Sequence, residues 1–556
     1  MKTCYLLLLL SLSSLFINLQ AQTFDWAQRG GWFAYDYGYG ITLDNSGNIY
    51  VAGKYEMNAD FSDTILPNQG NHDIFAAQYS PSGKLNWIRT GGGPSGDYAH
   101  AIACDKISNL YVAGEIEGYG TQIIFPGSSI TLHCTGDNDA FIANYDLSGD
   151  LLWARSGGGY YDDKAQAVAY DDSGNVFMSG YFNDTASFGG ITITGFTTGL
   201  NDMFVAKYDK SGKILWVRHA GGPGRDEAKG MKCDSLGNVY VCGLYSDGAV
   251  FGTQTLSSPG YYNTFLAKYS PDGVLVWVQS GGGDYDDVAW ALTLDKKGLI
   301  YVAGEFNAYA DFGGIHLTTM GMADAFVACY DGSGNVQWAT GAGGKLIDRA
   351  RGVGCDGTNI YITGQFGDSS GVAFGPFQLK AADSSDIFIA ALNNKGNFIW
   401  ATSVGGPPDS LELLGYESGN AICADASGNA YATGSTLQGG QFGNTFLPQY
   451  SRTDFFITEV SPQVTGIKVE AKNSGKQITI YPNPSNGQLV IDVNQLPEQK
   501  IETCIYNCRG QLVDIRVDQS PSKINLDLSA QSNGIYFIEI RTEDQQLFNK
   551  KIVLQQ

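Results

Sequence analysis

A tryptophan returns at nearly constant spacing through most of the chain. It stands at Trp26, Trp87, Trp153, Trp216, Trp277, Trp338 and Trp400, with intervals of 61, 66, 63, 61, 61 and 62 residues. Self-similarity at a fixed period means stacked copies of one supersecondary unit, so the unit decides the fold. Each Trp is followed by a small-residue stretch, often Gly-Gly, and then by an alternating run ending in Asp: Asp44, Asp105, Asp171, Asp234, Asp295, Asp356 and Asp425. The Trp-to-Asp distance is 18 in six units and 25 in the seventh. A turn and a short strand ending in Gly come next, as in Asp44 to Gly53. A longer segment then carries a recurring Phe (Phe61, Phe125, Phe188, Phe251, Phe312, Phe374, Phe442). An apolar strand such as Asp73 to Tyr79 follows, and a Ser-Gly type of turn leads to the next Trp. Alternation of period two between Gly-containing turns gives four strands per unit. They are A (ending at the Asp), B (ending at the Gly), C (the Asp-x-Phe strand) and D (the Trp strand).

Four antiparallel strands repeated seven times predict an all-β fold, a seven-bladed β-propeller with four-stranded blades. With 73 Gly, 32 Tyr, 28 Phe and only 16% charged residues, the composition suits many short strands joined by tight turns. The first copy of D, Phe24 to Ala27, has no A, B or C before it. The seventh unit ends at its C strand, Asp454 to Val460, with no Trp after it. The N-terminal strand is therefore expected to complete the last blade and remove an open sheet edge, with Trp26 beside Phe456.

Asp163-Lys-Ala-Gln-Ala-Val-Ala-Tyr-Asp171 through Gly180, and Asp139-Ala-Phe-Ile-Ala143, resemble the bacterial SBBP β-propeller repeat, over roughly residues 24–461. The resemblance implies a fold; the family has no single activity, so function must come from the site. A formal charge of −22, from 56 acids against 34 bases, argues against nucleic acid, whose phosphates need clustered Lys and Arg.

Residues 1–21 read as a secretory signal: Lys2, then the apolar run from Leu6 through Ile17, then Ala21 before cleavage. That run is too short for a permanent transmembrane anchor, and none is expected later. The propeller is assigned to 22–462, a polar linker to 463–477 and a small β-sandwich to 478–556. In the last segment, Tyr481-Pro-Asn-Pro-Ser-Asn-Gly487, Gly487-Gln-Leu-Val490, Leu528 to Tyr536 and Lys551-Ile-Val553 closely resemble the type A sorting domain of type IX secretion in Bacteroidetes. This resemblance implies passage through the periplasm, engagement of the type IX secretion and sorting machinery by residues 478–556, and display on the outer cell surface or release. An ordinary adhesive sandwich is the alternative. Cys104, Cys233 and Cys355 share one repeat position and read as small buried apolar residues. Cys504 and Cys508 are close enough to pair, though nothing in the sequence requires it.

An acid recurs eight residues before each repeat Asp: Asp36, Asp97, Asp163, Asp226, Asp287, Asp348, with Glu417 in the divergent seventh unit. One reading is a ring of carboxylates at the channel mouth that orients a ligand or holds a cation such as calcium. The other is that each caps backbone amides of its own Gly-rich D–A turn, and recurrence in every unit favours that architectural role. The D–A loops and the long B–C connections fall on one face, and aromatic residues there, among them Tyr98, Tyr161 and Tyr285, suit a sugar or a protein surface. Leu411, Leu413 and Leu414 mark an insertion on the same face.

The histidines, His72, His100, His133, His219 and His316, share no metal-ligand spacing, and no nucleophile elbow, P-loop or H-E-x-x-H run occurs. No cofactor is expected. The sequence points to a secreted or surface non-catalytic propeller that binds an extracellular glycan or protein. A hydrolase or lyase using acids of the loop-rich face is the alternative.

Overall fold

The computed structural model describes residues 22–62, 64–105, 108–382, 385–406, 417–437, 439–448, 452–462, 479–482, 485–493, 500–507, 512–519, 521–542 and 547–554. The chain is all-β: every regular element among these residues is a strand. It divides into two compact units, 1–462 and 463–556. The signal segment, the linker and Leu411, Leu413 and Leu414 lie outside the described residues.

Among the described residues, the first unit contains seven sheets with the same four-stranded antiparallel core, ordered A-B-C-D. In the first sheet these strands are Tyr37–Leu43, Ile49–Glu56, His72–Tyr79 and Leu85–Gly91. The other A strands are Asp97–Cys104, Lys164–Tyr170, Glu227–Cys233, Val288–Leu294, Arg349–Cys355 and Ser418–Ala424. Each A strand runs beside the next, and the seventh lies against the first.

The seventh sheet takes its D strand, Gln22–Gly31, from the other end of the unit, paired with Thr453–Pro462. The strand pairing is the expected one; the register is not. Trp26 sits opposite Glu459, and Arg29 sits opposite Phe456. A bulge between Phe24 and Trp26 shifts the register. With Trp26 opposite Glu459, its Nε1 donates to the Glu459 carboxylate at 2.6 Å and to the Pro81 carbonyl, in the C–D turn of the first sheet, at 3.2 Å.

Repeated residues do repeated work. The Asp that ends A closes the A–B hairpin: Asp44 Oδ1 accepts the Ser46 and Asn48 amides, with Gly47 at φ 78°. The Trp of one sheet lies on the turn glycine of the next. Trp153 covers Gly212, which has φ 76°, and its Nε1 donates to the Lys210 carbonyl at 3.0 Å. The recurring Phe packs on the Phe of its own C strand, with ring centroids 4.6 Å apart for Phe188 and Phe204. It also closes over the neighbouring D strand, as Thr185–Phe188 pairs with Leu151–Gly159. The cores accordingly span neighbouring sheets rather than sitting inside one.

The second unit has a three-stranded sheet (Thr479–Tyr481, Gln488–Asp492, Lys523–Asp527) and a four-stranded sheet (Leu512–Gln519, Lys500–Asn507, Gly534–Thr542, Leu547–Leu554). Both contribute to one apolar cluster, including Leu489, Ile491 and Leu526 from the first and Ile501, Ile505, Ile538 and Ile552 from the second. Cys504 is buried, and Cys508 lies outside the described residues.

Candidate functional site

Asp36, Asp97, Asp163, Asp226, Asp287 and Asp348 occupy equivalent places just ahead of, or at the first residue of, an A strand, and none is more than 1% exposed. Each is tied to backbone. Asp163 Oδ2 accepts the Gly159 amide at 2.6 Å and Oδ1 the Asn183 amide at 3.3 Å. Asp287 does the same with Gly283 at 2.7 Å and Asn307 at 3.0 Å. Asp36 and Asp348 follow this pattern, Asp226 accepts the Ser246 amide, and Glu417 accepts the Leu437 amide. Every such carboxyl joins its D–A loop, its B-strand end, or both, to the start of A. Burial pushes the pKa of Asp36, Asp97 and Asp163 up to about 8 and that of Asp226, Asp287 and Asp348 up to about 7.

The tyrosines are not brought together with the acids. Tyr161 packs edge-on against Tyr160 in a D–A loop, and Tyr285 is exposed in another. Tyr98 lies on an A strand, its ring stacked on His100 at 5.7 Å and under the Lys54 ammonium at 4.6 Å. Among the described residues no group of three or more His, Cys, Asp or Glu is arranged to hold a metal ion.

A second repeat position, three residues after each acid, builds the site. All seven A strands carry a β-bulge against their B strand. The extra residue is Tyr39, His100, Gln166, Lys229, Trp290, Arg351 or Asn420 in turn. A bulge leaves one residue out of the ladder and re-aims its side chain. Here all seven point into one cavity of about 310 Å³ lined by every A strand. The residue on either side is always Gly or Ala. The reason is steric: a Cβ on Gly40 would stand 2.9 Å from the Ile102 amide nitrogen, and one on Gly352 would stand 2.8 Å from Ala421 Cα. A larger depression of about 670 Å³ draws mainly on one stretch of chain, Ser82 to Arg89, with Gln28, Ser62 and Thr64 beside it.

The seven side chains are all different, with two cations, two amides and three aromatic rings, and none is acidic. Lys229 Nζ and Arg351 Cζ lie 5.1 and 5.0 Å from the Trp290 ring centroid, a cation–π ladder along three successive sheets. Tyr39 and His100 pack at 5.4 Å. Asn420 donates to the Gly38 carbonyl at 2.9 Å, linking the seventh sheet to the first. Three nearly buried glutamates stand behind this layer. Glu115 forms an ion pair with Lys164 at 2.8 Å and pairs with His100 Nε2 at 3.1 Å; Glu227 accepts from Lys229 at 2.6 Å and from Arg225; Glu305 accepts from Trp290 Nε1 at 3.3 Å and from Arg349. Burial alone would raise Glu115 and Glu227, but their cationic partners hold both below the usual carboxylate value. Burial lowers Lys229, against the pull of Glu227.

Reading the repeat for shared residues misses this layer, because its repeated feature is a backbone bulge. The signal in the sequence is the pattern acid-x-(Gly/Ala)-X-(Gly/Ala), in which X alone changes its chemistry freely between small neighbours.

Residues 479–555 match the family described as a secretion system C-terminal sorting domain, and residues 27–54 match a β-propeller repeat of the SBBP type. An uncharacterized WD repeat-containing protein of Acanthamoeba polyphaga mimivirus is 22% identical over 475 residues, covering 68% of this chain and 34% of that protein. A regulatory protein of Caulobacter vibrioides, FlaEY, is 28% identical over 140 residues, 25% of this chain and 15% of that one. The chain thus spans about a third or less of the curated relatives it matches. Among solved structures, it is similar to the extracellular domain of a protein described as a hybrid two-component system of B. thetaiotaomicron. That likeness has 10% identity, covers 93% of this chain and 67% of that one, and has a TM-score of 0.29, too low to transfer detail. The chain carries a β-propeller repeat and a type IX sorting domain. The sorting domain implies engagement of type IX machinery and places the protein at the cell surface or in the medium.

Proposed function

We propose that this chain, exported through its C-terminal sorting domain and built on β-propeller repeats, is a non-catalytic binding protein whose ligand enters the cavity at the bulge layer. The seven sheets are its blades, and the strand Gln22–Gly31 closes the ring through Trp26, Pro81 and Glu459. The two sheets of the sorting unit, sharing one apolar cluster, form a small sandwich. One observation carries the binding role: seven identical backbone bulges present seven unlike polar or aromatic side chains to one cavity. Architecture accounts for what is the same in every repeat; it gives no reason for what differs at a position of fixed geometry.

The six recurring aspartates give a hydrolase reading little to work with, since they are buried and four of them, Asp36, Asp163, Asp287 and Asp348, commit both oxygens to backbone amides. Exposed aromatics on the loops, Tyr119, Tyr160 and Tyr285 among them, extend the binding face beyond the cavity.

A glycan array combined with a broad hydrolase screen on the secreted protein tests this. Binding lost on Trp290→Ala, with no turnover, supports it. Turnover abolished by Asp163→Asn with the fold intact would replace it with the enzyme reading. Deleting residues 479–555 should hold the protein in the periplasm, and unchanged surface display would contradict the export assignment.

A further inference from the structure

Two side chains in the cavity carry a buried polar atom with no partner: Nε of Arg351 and Oε1 of Gln166. Neighbouring charges are matched, because Glu115, Glu227 and Glu305 are each engaged by two donors or ring nitrogens. Arg351 is left over. Burial disfavours its charge, Arg349 repels it, and Glu305 is already bonded to Arg349 and Trp290. Its guanidinium rests against the Trp290 ring.

An unmatched guanidinium is a fork for a planar oxyanion, taken with two parallel N–H donations. An amide oxygen with no donor needs an O–H or N–H from whatever fills the space. Lys229 adds a second positive charge at the same aromatic ring, and no acid stands at any bulge position. About 310 Å³ is at the small end of ligand pockets, room for one substituted six-membered ring. The formal net charge of the chain, −22, disfavours an anion at long range, so selection must come from these local contacts.

We infer that the cavity binds an acidic sugar unit, its carboxylate on Arg351 and a hydroxyl donating to Gln166 Oε1. This rests on the binding role proposed for the bulge layer and names its ligand class.

The test is calorimetric titration of the full secreted protein with D-glucuronate, D-galacturonate, D-glucose and glucose 6-phosphate, repeated on Arg351→Gln, Arg351→Lys and Gln166→Met. At least one uronate should bind, with glucose weaker by about tenfold or more. Arg351→Gln should weaken the uronate by about tenfold or more and leave glucose nearly unchanged; Arg351→Lys, keeping charge without the fork, should fall between. Gln166→Met should weaken uronate and glucose alike. Absence of uronate binding, equal binding of uronate and glucose, no effect of either Arg351 variant, or a sugar phosphate preferred over both uronates would each overturn the inference. A ligand of another class that is lost on Trp290→Ala would remove the acidic sugar but keep the binding role. A ligand indifferent to every bulge residue would remove both.

Discussion

In the D strands one tryptophan meets the same kind of neighbour six times: Trp26, Trp87, Trp153, Trp216, Trp277 and Trp338 each cover a turn glycine of the following sheet. In the A strands one backbone position carries seven different side chains. Both positions recur with the same period and both depend on small neighbours. At the outer strand the small residue exists to admit a particular ring, so changing either partner breaks a junction between sheets. At the inner strand the small residues let adjacent backbones approach, and the residue between them faces the cavity and its own differing neighbours, such as Glu227 for Lys229 and the Gly38 carbonyl for Asn420. Fixed chemistry at a repeat position therefore marks assembly, while fixed geometry with varied chemistry is what the proposed binding role rests on.

Breaking the outer contact should have the largest effect. Trp153→Ala removes the indole from Gly212 and the donor to the Lys210 carbonyl, and unfolding in urea should show a loss of about 3–5 kcal/mol. A loss below about 1 kcal/mol, the range of ordinary surface changes, would mean the Trp is not a junction. The reciprocal change, Gly212→Val, puts a Cβ 2.7 Å from the Trp153 ring at φ 76° and should cost about 2–3 kcal/mol from backbone strain and overpacking.

The buried acids of the D–A loops give a smaller effect with a defined sign. Their folded pKa, about 7 to 8, lies above the unfolded value, so the folded state holds more protons through the interval between them. Their contribution is most favourable below about pH 4 and is lost as pH rises through about 8. The melting temperature should therefore fall by several degrees from about pH 5 to about pH 9, with a shallower slope in Asp163→Asn. A melting temperature that climbs across that interval would show that the carboxyls are stabilised as anions.

The smallest effect belongs to the inner position. Gln166→Ala should change the unfolding free energy by no more than about 0.5 kcal/mol, because the side chain enters a cavity and its amide oxygen has no partner to lose.

Much of the assembly was legible because side-chain identity carries it. The Trp, Phe and Asp that set the period each fill one packing or turn role, and the orphan strand at Trp26 pairs with the last C strand as its position implies. The register expected for it was off by three residues, Trp26 standing opposite Glu459 rather than Phe456, and the one-residue bulge between Phe24 and Trp26 does not account for that offset. The acids were visible, and both of their readings were open, because a carboxyl that caps amides and one that meets a ligand look alike until its oxygens are traced. The bulge layer was hidden for the opposite reason: Tyr39, His100, Gln166, Lys229, Trp290, Arg351 and Asn420 share no common residue or class, and only their Gly and Ala neighbours betray a common place in the fold.

Exchanging two bulge residues, Gln166→Arg with Arg351→Gln, tests that shared place most directly. Composition and net charge stay the same, and only the position of the guanidinium around the cavity changes. If the scaffold is indifferent to what it presents, urea unfolding should lie within about 1 kcal/mol of the parent while uronate affinity drops by about tenfold or more. A loss of more than about 3 kcal/mol in the exchanged protein, or unaltered uronate binding, would contradict the separation of assembly from recognition.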